Sequence, residues 1–250
     1  KSSLLKAFLA ALLVQTILSQ SLPGCLNHRG EVVDWFLIYY APRTIHKNFP
    51  LYGYMYTDST STNPTLDIYK GGETRQMALL ASQLLKLNPK IIDYRLEDQL
   101  YPTQGTGNSE RAHSKFFMSL KSKSNGFAVV HSTPKYPFLT DEGFYSPREI
   151  EPSQKNKAQH FLCMTIRGKE TADKILENSC VIKPNIYHNS LALIAKIPKI
   201  KEKYLNLDTF VLQNYNIGKT VFKAVYKNGD KTADIFTDAL TDLVESSIVI

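Results

Sequence analysis

His113-Ser114-Lys115 sets an imidazole and an ammonium two residues apart. In an extended segment side chains alternate, so His113 and Lys115 share one face while Ser114 points to the other. An imidazole attacks phosphorus or relays a proton, and a fixed cation beside it holds the non-bridging oxygens and offsets the charge that gathers there in the transition state. The pair therefore suits phosphodiester chemistry that runs without a metal. Downstream, Val130-His131-Ser132-Thr133-Pro134-Lys135 offers a second imidazole, a hydroxyl and another ammonium, with His131, Ser132 and Lys135 as candidate substrate contacts. The triplet alone is a weak signal, because 6 His in 250 residues leave about half a His-x-Lys to chance. The competing reading is a half-exposed strand with an incidental His and Lys.

Positioning such a pair needs a sheet. Ser114 to Leu120 and Phe127 to His131 read as adjacent antiparallel strands, with Lys123-Ser124-Asn125-Gly126 as the turn and Asn-Gly as its signal. His113 enters that hairpin and His131 leaves it, which brings both imidazoles to one end of the sheet. A long polar loop from Glu97 through Asn108, with both glycines of Gln104-Gly105-Thr106-Gly107, delivers the chain to His113. Further strands are expected at Val32 to Tyr40, Tyr52 to Tyr56, Lys90 to Leu96, His160 to Ile166, Leu191 to Ile197 and Val221 to Tyr226, with a strand beginning at Ser247 to Ile250. The three- and four-residue spacing of Met77, Leu80, Leu84 and Leu87 predicts a helix between Glu73 and Leu87, stopped by Asn88-Pro89. Gly168 to Ser179, with Ala172, Ile175 and Leu176 inward, and Ala233 to Val244 read as helices too. Strands alternating with helices give an α/β, or mixed α+β, fold class.

With 43% apolar and 21% charged residues in 250, the chain has the composition of a globular protein rather than a disordered one. Residues 1–21 carry a charged start, a short apolar run from Ala7 through Leu18 and small residues at Ser19-Gln20-Ser21, the pattern of a cleaved secretory signal. Twelve apolar-rich residues fall short of the roughly 20 a bilayer span needs, so no stable membrane insertion is expected after cleavage. Removing Lys1 and Lys6 lowers the net charge from +7 to +5, which still favours a polyanion partner. Lysine tracts such as Lys196 to Lys203 are candidates for phosphate contact, although solvated faces carry such runs more often. Cys25, Cys163 and Cys180 permit at most one intrachain bridge. The remaining thiol is then buried and inert, pairs with another chain, or lacks a partner that a longer protein supplies. Neither Cys-x-x-Cys nor His-Glu-x-x-His occurs, so neither a metal site nor a cofactor is expected.

Several stretches in this order resemble the deoxyribonuclease II family. They are Val33-Asp34-Trp35-Phe36 with Tyr40 and Pro42, Tyr54-Met55-Tyr56-Thr57-Asp58, Glu97-Asp98-Gln99, His113-Ser114-Lys115, Gly126-Phe127 leading to Val130-His131-Ser132-Thr133-Pro134, Leu162-Cys163, and Pro184-Asn185-Ile186-Tyr187. The resemblance implies a phospholipase D-like fold of two lobes, a mixed β-sheet flanked by helices in each, both donating one His-x-Lys to a shared cleft. It implies DNA as substrate, cleavage at acidic pH without divalent metal, and a secreted or lysosomal location. It assigns His113 as nucleophile or acid-base partner, Lys115 as phosphate clamp, and a Cys25 to Cys163 disulfide with Cys180 left out. Residues 22–185 would be the first lobe and 186–250 the truncated start of the second.

Departures from the family pattern open alternatives. Ala112 and Phe116 stand where the family has glycines, and none of His131, His160 or His188 is followed two residues later by Lys. The β-branched run Ile248-Val249-Ile250 reads as an interior strand whose continuation is absent. The readings are a piece of an active endonuclease, a homodimer that pools two copies of His113, an inactive secreted descendant that binds DNA or a host partner, and an α/β protein without a nucleic-acid role.

Overall fold

In the computed structural model, residues 24–27, 29–40, 54–61, 67–69, 92–97, 114–120, 124–133, 138–139, 145–146, 157–182, 185–186, 210–227, 234–235 and 237 are described. Runs of aromatic and β-branched residues build most of it, because such side chains pack well on a pleated surface. The strands are β1 (Cys25–Leu26), β2 (Val32–Val33), β3 (Trp35–Tyr40), β4 (Tyr54–Asp58), β5 (Asp67–Tyr69), β6 (Ile92–Glu97) and β7 (Lys115–Leu120). They continue with β8 (Asn125–His131), β9 (Phe138–Leu139), β10 (Tyr145–Ser146), β11 (Gln159–Arg167), β12 (Asn185–Ile186), β13 (Val211–Ile217) and β14 (Thr220–Tyr226). An α-helix, α1 (Lys169–Ser179), follows β11 and ends in a 3-10 turn at Cys180–Ile182.

Eight strands share one sheet in the order β12-β6-β7-β8-β11-β3-β4-β5. Every strand pair among the described residues is antiparallel, where a mixed sheet was expected from the resemblance. Strict alternation divides its side chains between two cores. Phe36, Ile38, Tyr54, Tyr56, Phe117, Phe127, Val129, Phe161 and Cys163 fill one face, closed by Cys25 and Val33 of the small β1 and β2 ribbon. Phe116, Met118, Leu120, Ala128, Met164 and Ile166 fill the other, under Ala172, Ile175 and Leu176 of α1 and Tyr215 and Ile217 of β13. The helix buries the three residues expected to face inward.

Cys25 and Cys163 form a disulfide, as the resemblance implied, with 5.9 Å between their Cα atoms. Cys180 is buried and stays outside that bond. The expected strand Val32 to Tyr40 is two strands, interrupted at Asp34, whose amide donates to Ser59 Oγ at 2.9 Å and whose carboxylate pairs with Arg167. The strand expected at Tyr52 to Tyr56 runs further, since Thr57 and Asp58 belong to β4.

A second difference concerns the hairpin beside His113. Asn125 and Gly126 are not its turn but the first residues of β8, and Gly126 faces Leu120 across the ladder. Glycine is needed there for space: a Cβ would lie 1.9 Å from the Ser119 carbonyl oxygen. Just before β8, the Ser124 carbonyl accepts a hydrogen bond from the Gly168 amide at 2.7 Å.

The hairpin β13 and β14, of which sequence periodicity marked only the second strand, covers the α1 side of the sheet. Trp35 donates its indole N–H to Thr220 Oγ1 at 2.8 Å and meets the Phe222 ring edge-on at 5.9 Å. The division expected at residues 185 and 186 falls inside β12, an edge strand of the main sheet. The readings at Glu73 to Leu87, the loop through Asn108, Leu191 to Ile197, Lys196 to Lys203 and Ser247 to Ile250 lie outside the described residues, as does most of Ala233 to Val244.

Candidate active site

β7 opens on Lys115, and its register places that residue directly opposite His131, the last residue of β8. Directly opposed residues of an antiparallel pair have Cβ atoms about 4.5–5.5 Å apart and point to the same face. The lysine of the His-x-Lys triplet and the second candidate imidazole are thus brought together at one end of the sheet. His113 itself lies outside the described residues, and so does Lys135.

Both members of the cross-strand pair are enclosed: Lys115 is 0% exposed and His131 is 3% exposed. The His131 ring stacks on Phe161 at 5.4 Å with an interplanar angle of 5°, and Phe117 lies 5.8 Å away on the other strand. Phe161 is its register partner on β11, so the imidazole is held between neighbours on both sides. An imidazole fixed in this way orders the end of the sheet around Lys115. It does not reach solvent in the present conformation.

Ser132 continues from His131 and fastens β8 to the start of β11. Its hydroxyl donates to Gln159 Oε1 at 2.5 Å and accepts from the His160 amide at 3.0 Å, while its own amide donates to the His160 carbonyl at 3.1 Å. Its side chain is spent on the protein rather than turned to a ligand. Thr133 is 2% exposed, and its hydroxyl has no hydrogen-bond partner among the described residues. Sequence reasoning passed over it, though the alternation that starts at His131 returns at Thr133 to the same side. Ser114, the middle residue of the triplet, is exposed and lines a cavity of about 530 Å³ on the opposite face, shared with Phe116, Val130 and Tyr226.

Asp58 lies on β4 in the stretch Tyr54-Met55-Tyr56-Thr57-Asp58 and is 4% exposed. Burial alone raises a carboxyl pKa, but hydrogen bonds from the Thr60 hydroxyl and amide and from the Tyr56 hydroxyl, with the charge of Arg29, outweigh it and leave Asp58 below the ordinary 3.8. This carboxylate is a fixed anion that organises its turn. Among the described residues no three His, Cys, Asp or Glu side chains cluster closely enough to hold a metal ion, and no helix is long and apolar enough to cross a membrane.

A family described as Deoxyribonuclease II matches residues 24–250. Deoxyribonuclease-2-beta of Rattus norvegicus is 29% identical over 192 residues, 73% of this chain and 52% of the relative. Plancitoxin-1 of Acanthaster planci is 24% identical over 208 residues, 74% of this chain and 52% of the relative. Deoxyribonuclease-2-beta of Homo sapiens is 26% identical over 186 residues, 70% of this chain and 48% of the relative. The chain belongs to the deoxyribonuclease II family, and it spans about half the length of the curated relatives it matches.

Proposed function

We propose that this protein is a deoxyribonuclease II-like acid endonuclease, secreted or lysosomal, that hydrolyses DNA phosphodiester bonds without a divalent metal through His113 and Lys115. The observation that carries this reading is the family match over residues 24–250 in a chain whose His-x-Lys triplet leads into a register-locked strand. His113 attacks phosphorus or passes its proton, and Lys115 holds the non-bridging oxygens. An imidazole with a pKa near 6.5 makes acid the working range, because one ring must be neutral to attack while another is protonated to expel the leaving oxygen. That second ring comes from a second lobe of the same kind, either in the same polypeptide or in a second copy across a two-fold axis. Residues 22–185 and 186–250 are then a phospholipase D-like first lobe and the opening of its successor.

A second reading is favoured by one observation, the complete enclosure of Lys115. An ammonium shut away from solvent suits a family member that retains DNA or a host partner without cleaving. Plasmid nicking at about pH 5 in excess chelator, with sizing of the purified protein, separates the two. Nicking that survives the chelator and is lost in His113→Ala supports the endonuclease. DNA binding with no nicking supports the binding-only descendant, and the absence of both refutes the endonuclease and any DNA-binding role.

A further inference from the structure

Two hydroxyls follow His131 in the chain, and the fold treats them in opposite ways. That of Ser132 is committed, donating to Gln159 Oε1 at 2.5 Å and accepting from the His160 amide at 3.0 Å. Thr133 is 2% exposed, yet its hydroxyl has no hydrogen-bond partner among the described residues. Other enclosed hydroxyls show the usual arrangement. Thr165 accepts from the Cys25 amide at 2.9 Å and donates to the Val33 carbonyl at 2.5 Å, and Ser179 donates to the Ile175 carbonyl at 2.6 Å. A buried polar atom left unpaired costs stability, so a fold retains one only against that cost.

Its place in the sheet supplies a reason. Lys115 stands directly opposite His131, which makes Thr133, two residues further on, its diagonal neighbour and, by alternation, places both on one side. Diagonal neighbours of an antiparallel pair are about 7–8 Å apart, within reach of a long side chain. A lysine arm from one and a short hydroxyl from the other can therefore grip a single phosphate group between them. The threonine is also held still. The Ser132 amide ties the preceding residue to the His160 carbonyl at 3.1 Å, and Pro134 restricts the residue before it to extended backbone. Lys115, 0% exposed, is shut in as completely as Thr133, so a phosphate that gains the ammonium gains the hydroxyl with it.

We infer that Thr133 is a further group of the phosphodiester site, its hydroxyl donating to a non-bridging oxygen of the scissile phosphate beside the oxygen that Lys115 holds. The inference rests on the endonuclease reading and deepens it. No proton leaves the threonine. The donated hydrogen bond strengthens as charge gathers on the oxygen in the transition state, which is where such a bond speeds the reaction. Before substrate arrives the same hydroxyl is a liability, and the arriving oxygen removes the cost of its burial. Ser132, the hydroxyl that the sequence singled out, serves as anchor for the one that acts.

Thr133→Val keeps the shape of the side chain and removes the donor, and two readouts on the purified full chain should then move in opposite directions. Plasmid nicking at about pH 5 in excess chelator is expected to fall about 10- to 100-fold, the worth of a hydrogen bond to a charged oxygen. The melting temperature is expected to rise by about 2–4 °C, because an unpaired buried polar atom is gone. Thr133→Ser, which keeps the donor, recovers most of the activity. A duplex with one phosphorothioate of defined configuration reads the contact itself, since sulfur accepts hydrogen bonds weakly. Placed in turn at each non-bridging position, sulfur is expected to slow the parent at one of them more than it slows the Val variant. Undiminished nicking by the Val variant, beside an active parent, overturns this role for Thr133 and leaves the endonuclease reading standing. A Val variant that melts lower or fails to fold, or equal sulfur effects in the two proteins, makes the hydroxyl structural and overturns it too. A parent that does not nick removes the endonuclease reading and this inference together.

Discussion

Removing the Cys25 to Cys163 bond by changing both residues to Ala perturbs the fold at its most consequential crosslink. The two cysteines are 138 residues apart in sequence. In the chain-entropy treatment, closing a loop of that length costs the unfolded chain about 5 kcal/mol at 25 °C, against a usual range of about 2–5 kcal/mol for natural disulfides. Both side chains are fully buried in the first core, where Cys163 faces Phe36 and Val129 across neighbouring strands. Loss of two sulfurs therefore adds a packing defect to the entropic penalty. A destabilisation of about 3–5 kcal/mol lowers the melting temperature by roughly 10–20 °C for a chain of this size. Guanidinium titration at matched pH, followed by tryptophan fluorescence from Trp35, reads the difference directly. Reductant added to the folded parent should react only as fast as the protein unfolds, because neither sulfur is exposed. A double-Ala variant within about 1 kcal/mol of the parent, or rapid reduction of the native state, would refute the view that this bond braces the sheet.

Gly126→Ala should destabilise the protein by about 1–3 kcal/mol or more, since its new methyl meets a backbone oxygen rather than a movable side chain; thermal melts and loss of nicking together check it, because the same ladder seats Lys115 against His131. Asp58→Asn should cost about 1.5–3 kcal/mol near neutrality, the worth of hydrogen bonds to a charged group. A depressed folded-state pKa gives stability that is present above the unfolded value and is lost as pH falls through the folded one, so parent and variant should converge only below pH 3.8 in acid-unfolding curves. Lys115→Met keeps the length of the side chain and removes its charge, and should lower nicking about 10²- to 10³-fold while circular dichroism stays unchanged; full activity would remove Lys115 from the chemistry.

Elements whose own residues repeat with a clear period were legible in the sequence. The inward residues of α1, the antiparallel partnership of β7 and β8 and most strand centres follow from alternation or helical spacing. The disulfide came through resemblance, because three cysteines alone leave the pairing open. Asn125-Gly126 misled because a dipeptide that favours tight turns also satisfies a strand position where a Cβ has no room, and only the Ser119 carbonyl reveals which demand applies. β13 escaped notice because its outward Leu212, Asn214 and Asn216 blur the apolar pattern that its partner shows plainly. Enclosure of Lys115 was the least legible fact of the site. A charged residue two positions from a histidine announces chemistry, and nothing local announces that Phe117, Phe161 and the rest of the first core close around that end of the sheet.

The hairpin that ends at Tyr226 is as much lid as limb. A version cut at residue 185, where the first lobe was expected to finish, would strip Tyr215, Ile217, Phe222 and Tyr226 from Met164, Ile166 and α1 and leave a greasy plate bare to water. The smallest piece able to stand alone therefore reaches at least to Tyr226, and shorter recombinant versions are expected in the insoluble fraction.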